Sequence, residues 1–141
     1  MLTIALDSTR RGHPALWEKG GGYTNTGHAQ IVAGPSGEPL RPIYVRRRGY
    51  LANGEHALFP VCEGMVVVKA GHHRRDFRIT VLRIKEIRKT ESGWEADAEI
   101  IGLFDQGEWE PTPPKELEAA IEAAKDKATC YHCRSPHYIG D

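Results

Sequence analysis

Apolar and polar residues alternate most regularly just after Gly93. Trp94, Ala96, Ala98 and Ile100 hold one parity and Glu95, Asp97 and Glu99 the other, the period-two signature of a half-buried strand. The preceding stretch is dense in β-branched residues but keeps no single phase. Phe77, Ile79 and Val81 share one parity, the apolar positions then move to Leu82 and Ile84, and they return at Ile87. Because side chains alternate strictly along a strand, such slips predict a bulge or a sharp bend. Thr90-Glu91-Ser92-Gly93 supplies turn residues between the two runs. A hairpin pairing 77–89 with 94–104 is therefore expected, with Glu95, Asp97 and Glu99 opposite or diagonal to Arg83, Lys85 and Arg88.

Further strands are predicted at 2–6, 28–33, 39–47, 57–61 and 65–70. Asn53-Gly54 is a two-residue hairpin signal, since both positions of that turn favour positive φ, and Glu63-Gly64 reads as a tight turn. Residues 71–76 read as a loop joining two strands. Residues 10–27 lack any period and contain Gly20, Gly21 and Gly22, which predicts a long loop. Short, evenly spaced strands without a helical period between them argue for a small open barrel or curled antiparallel sheet.

One helix is expected after this body. Thr112 is suited to an N-cap and Pro113 to the first helical position. Leu117, Ile121, Ala124 and Ala128 form one apolar stripe, with Glu116 and Glu118 early and Lys125 and Lys127 late, matching the helix dipole. The fold class is thus mainly β with one C-terminal helix and a short cysteine-containing tail: a β-rich domain over 1–110, a packing helix over 111–129, and the tail over 130–141.

Composition narrows the setting. The 141 residues, 40% hydrophobic and 27% charged, suit a single globular domain. No run approaches the roughly 18 apolar residues of a membrane span, and the first residues lack the basic and apolar regions of a secretory signal. Three cysteines are too few for a disulfide scaffold. The expectation is a soluble, cytoplasmic protein. Its zero formal charge hides a division: residues 41–89 carry twelve basic against four acidic side chains, while 90–128 carry eleven acidic against three basic ones. The expected hairpin would pair much of this charge internally. What then stays unpaired is Arg46, Arg47 and Arg48 together with His72, His73, Arg74 and Arg75.

Four groups of residues carry candidate chemistry. Cys130 and Cys133, two residues apart, can reach one tetrahedral ion, and His137 is spaced to be a third ligand; His132, Cys62, another histidine or a second subunit would have to complete a structural zinc site. A reversible cysteine pair or two plain thiols fit the same spacing. The segment 20–28 resembles an anion-cradling loop in its glycines, yet no Gly-Lys-Ser/Thr follows and no helix begins there. His56, His72 and His73 with Glu55 could form a metal site inside a cupin-like barrel. Finally, Arg46, Arg47, Arg48, His72, His73, Arg74, Arg75 and Arg78 are interleaved with Tyr44, Tyr50 and Phe77. Cationic groups beside aromatics are the working surface of single-strand-binding barrels. The leading expectation is a non-enzymatic nucleic-acid-binding or nucleoprotein-complex subunit that uses Tyr44 and these basic residues on single-stranded nucleic acid. A small metal-dependent, cupin-like enzyme and an architectural homo-oligomer subunit are the alternatives.

Overall fold

A computed structural model describes residues 1–18, 28–46, 55–73 and 76–128. Within them lie β1 (Leu2–Ser8), β2 (Pro14–Trp17), β3 (Ala29–Ala33), β4 (Ile43–Arg46), β5 (Glu55–Pro60), β6 (Val66–His73), β7 (Asp76–Thr90), β8 (Gly93–Asp105) and β9 (Glu108–Trp109). A 3₁₀ turn (Lys115–Leu117) leads into α1 (Glu118–Ala128). The strands form an antiparallel sheet in the order β3-β6-β7-β8-β1-β2-β5-β4, with β9 added to β8. This sheet curls into a nearly closed barrel, and the Gln30 amide donates to the Trp17 carbonyl at 2.7 Å, tying β3 back to β2. No helix among the described residues is long and apolar enough to cross a membrane.

The β7–β8 hairpin is the longest ladder, and its irregularities explain the wandering apolar phase. Ile79 and Val81 belong to a core under α1, whereas Leu82 and Ile84 belong to the barrel interior. The first phase change is therefore no bulge in β7; the strand simply stops burying one face and starts burying the other. The return at Ile87 is a bulge. Ile84 pairs with Ala98 and Glu86 with Asp97, so Lys85 is the extra residue, and Ile87 packs against the interior again. A second irregularity lies on β8, where Val81 pairs with Gly102 and Leu82 with Ile100. The extra Ile101 shifts β8 from Ala96 and Ala98, which face the interior, to Phe104, which packs under α1.

The same logic accounts for Val66, Val67 and Val68, all fully buried. Val66 and Val68 face α1, and Val67 faces the barrel. A strand covered on both sides reads as a continuous apolar run rather than an alternation. The predicted stripe of α1 is buried as expected, with Leu117, Ile121, Ala124 and Ala128 against Ala29, Ile31, Ala70 and Ile79.

Three expectations are corrected. The long loop over 10–27 contains β2, paired with β1 and β5 on its two edges; Pro14, Ala15 and Leu16 are buried in succession, so no alternation marks it, and its proline opens the strand, where a missing N–H is tolerated. The loop expected over 71–76 is shorter, since β6 runs through His73. Thr112 does not cap the helix. Pro114 is the cap residue, with φ −55° and ψ 139° and no side-chain cap hydrogen bond. A residue preceding proline is pushed out of the α region, so Pro113 cannot begin a helix in front of Pro114. The Asn53-Gly54 turn and the glycine-rich segment 20–27 lie outside the described residues.

Charge pairing across the hairpin follows the expected pattern with one exception. Arg88 donates to Glu95 at 2.7 Å and to Asp97 at 2.9 Å, and Lys85 lies 3.8 Å from Glu99. Arg83, directly opposite Glu99, instead donates to the carbonyls of Pro35 and Gly64 at 3.2 and 3.0 Å, anchoring two turns to the sheet.

Two predictions follow from this framework. A Cβ at Gly102 would meet Pro113 Cβ at 2.7 Å, so Gly102→Ala should force the helix-leading segment off β8. We expect a loss of about 1–3 kcal/mol, read by urea denaturation. The Arg88 guanidinium holds the Asp97 carboxyl below its ordinary value, through its hydrogen bond first. A carboxylate depressed in the folded state stabilises above its unfolded pKa of roughly 4, and that contribution disappears as pH falls through the folded value. Arg88→Met should therefore flatten the fall of melting temperature below about pH 4; an acid limb identical to that of the parent protein would contradict the assignment.

Candidate nucleic-acid interface

The β7–β8 hairpin and α1 together leave a cleft of about 610 Å³, within the usual range of ligand pockets. Its floor comes from the sheet face beneath the helix: Phe77 and Ile79 of β7, Phe104 of β8 and Trp109 of β9, with Ile121 of α1 as the opposite wall. Phe104 and Trp109 lie 5.3 Å apart between ring centroids, tilted by 59°. Pro113 and Pro114 close one end, the end at which Gly102 approaches Pro113. Sequence reasoning passed over this cleft, because its residues come from three strands and a helix. The concentration of Trp109, Pro111, Pro113 and Pro114 in one short stretch is the signal that could have drawn attention to it.

The other end of the cleft runs into the β6–β7 hairpin. His72 pairs with Phe77 in the ladder, and their rings meet edge to face at 5.4 Å and 69°. His72 is thus on the helix-covered face, against Phe77 at the margin of the cleft. His73 and Asp76 pair at the end of the same hairpin; Arg74 and Arg75, between them in sequence, lie outside the described residues. Arg78 points to the opposite face and donates to Asp105 at 2.8 Å. Its cation is neutralised locally, so of the expected basic group it contributes least.

Tyr44 and Arg46 stand on β4, where Arg46 pairs with Glu55 in the ladder with β5. Arg47, Arg48 and Tyr50 lie outside the described residues. Along the strand order, β4 ends the path while β6 lies near its other end. β4 and β6 share no ladder, and of the expected set only His72 is seen against a residue that lines the cleft, Phe77.

The histidine group is distributed in a similar way. His56 is on β5, and His72 and His73 are on β6, strands that share no ladder. His72 packs on Phe77 outside the barrel, whereas a cupin-like site would need it inside. No group of three metal-holding side chains occurs among the described residues. Cys130, Cys133 and His137, the expected zinc ligands, lie outside them, as does His132. Cys62 is an exposed free thiol after β5.

The chain matches no protein-family model, no curated protein and no solved structure. Its function must be argued from the cleft and its surroundings.

Proposed function

We propose that this protein is a non-enzymatic single-stranded nucleic-acid-binding module. The observation that carries the reading is that Phe77 both lines the aromatic cleft and meets His72 across the β6–β7 hairpin. Phe77, Phe104 and Trp109 offer π-faces to unstacked bases, and the adjoining hairpin brings His72, His73, Arg74 and Arg75 in sequence. Stacking surfaces beside a cationic segment are what a sequence-tolerant single-strand binder requires. Arg46, Arg47 and Arg48 form a second cationic segment in the sequence, which in this reading contacts phosphates farther along a strand. The internally paired cations Arg78, Lys85 and Arg88 take no part. Zinc at Cys130, Cys133 and His137 stands on thiolate spacing alone and would order the tail.

Titration with a fluorescently labelled single strand of about 12 nucleotides tests the reading. Affinity should fall with salt at a log–log slope near −3.5 for about five phosphate contacts. Replacing Arg46, Arg47 and Arg48 with alanine should weaken binding and flatten the slope. Trp109→Ala should weaken it roughly 5- to 150-fold through lost stacking, while Trp109→Phe retains most of the affinity. Absence of any complex at low salt would overturn the proposal.

A further inference from the structure

A binder that only stacked bases and gripped phosphates would have no use for a carboxylate inside its cleft. Glu118 lines this one, exposed in the first turn of α1. Among the described residues its carboxylate makes no ion pair or side-chain hydrogen bond. Glu122, one turn on, is paired with Lys125 at 3.3 Å. Thr112, relieved of the capping role by Pro113 and Pro114, lines the cleft as well, and its hydroxyl is likewise without a side-chain hydrogen bond among the described residues.

These groups have an order along the helix. Lys115, Glu118, Glu122 and Lys125 all line the cleft, at spacings of three, four and three residues that place them on one stripe. Lys115 stands one turn before Glu118, and Lys125, about 15 Å from Lys115 by helical rise, is paired with Glu122. A strand lying along the cleft would meet positive charge at the Lys115 end, where phosphates are favoured. In the middle it would meet acceptors, where phosphates are repelled and base donors are favoured.

We infer that the cleft discriminates among bases by their exocyclic amino groups, with Glu118 as the specificity-determining acceptor; the inference rests on the nucleic-acid reading above. Cytosine presents an N4 amino donor at the edge where uracil presents a carbonyl oxygen. A carboxylate accepts from the first and repels the second. The two pyrimidines match in size and stacking area, so the preference isolates this single contact.

The test is fluorescence anisotropy of the full chain with labelled oligo-dC and oligo-dU of equal length, near neutral pH and at one salt concentration. Oligo-dC should bind about tenfold more tightly. Glu118→Ala should bring the ratio close to one without changing the salt slope, because no phosphate contact is lost. Glu118→Gln, whose amide can accept from the cytosine amino group or donate to the uracil carbonyl, should also bring the ratio toward one and tighten both complexes by removing a negative charge. Because Glu118 is exposed, both variants should stay folded and lose only the small dipole contribution of a first-turn carboxylate. Equal binding of the two oligonucleotides by the parent overturns the inference while leaving the nucleic-acid reading in place. A preference for oligo-dU, or one that survives Glu118→Ala, also overturns it. No binding of either probe at low salt removes the underlying reading, and the inference with it.

Discussion

The structure depends on covering the outer face of β3, β6 and the first half of β7. Val66 and Val68 are fully buried on that face, just as Val67 is inside the barrel. Without α1 the outer valines, Ile31, Ile79 and Val81 would stand in water, at about 25 cal/mol for each Å² exposed. The helix has little propensity to form alone: it is 11 residues long, below the length at which isolated helices persist. Sheet and helix therefore stabilise one another. Leu117 and Ile121 supply the large contacts, and Ala120, Ala124 and Ala128 allow the backbone to lie close to the strands.

That close approach does not extend across the whole sheet. The helix lies over β3 and β6, while β7, β8 and β9 turn away beneath its other side, aided by the extra residue at Ile101. Pro114 is extended and Pro113 lies against Gly102 of β8, so the chain crosses β8 before the helix begins. The gap left between helix and hairpin is the cleft. Its aromatic lining follows from the core itself: Phe77, Phe104 and Trp109 are the partly buried margin of the cluster under α1. A surface that serves the core on one side and faces solvent on the other is well placed to bind, because it needs little rearrangement to do so.

Much of this was legible in the chain, for local reasons. The hairpin, its turn and its cross-strand charges follow from alternation and from the Thr90-Glu91-Ser92-Gly93 turn. The apolar stripe of α1 follows from the spacing of Leu117, Ile121, Ala124 and Ala128. What escaped depended on neighbours distant in sequence. β2 hides in an irregular stretch because its pairing with β1 and β5, and not its own pattern, makes it a strand. The two phase changes in β7 look alike in the sequence, yet one is a change of buried face and the other the bulge at Lys85. Of the expected binding residues, His72 falls beside Phe77 of the cleft, Arg78 is neutralised by Asp105, and Tyr44 and Arg46 lie on β4, which shares no ladder with β6; the sequence groups them by charge, and the strand pairing divides them.

Backbone amide mapping tests most directly whether the helix-covered cleft is the surface that binds single strands. With a ¹⁵N-labelled full chain and an unlabelled single-stranded oligonucleotide, the largest shift changes should fall on Phe77, Ile79, Phe104, Trp109 and Ile121 and on the adjoining His72. Residues of β1 and of its ladder with β8, such as Thr3, Ala5 and Glu95, should stay unmoved. Changes centred on β1 and β2, or a spectrum unaltered by excess oligonucleotide, would contradict it.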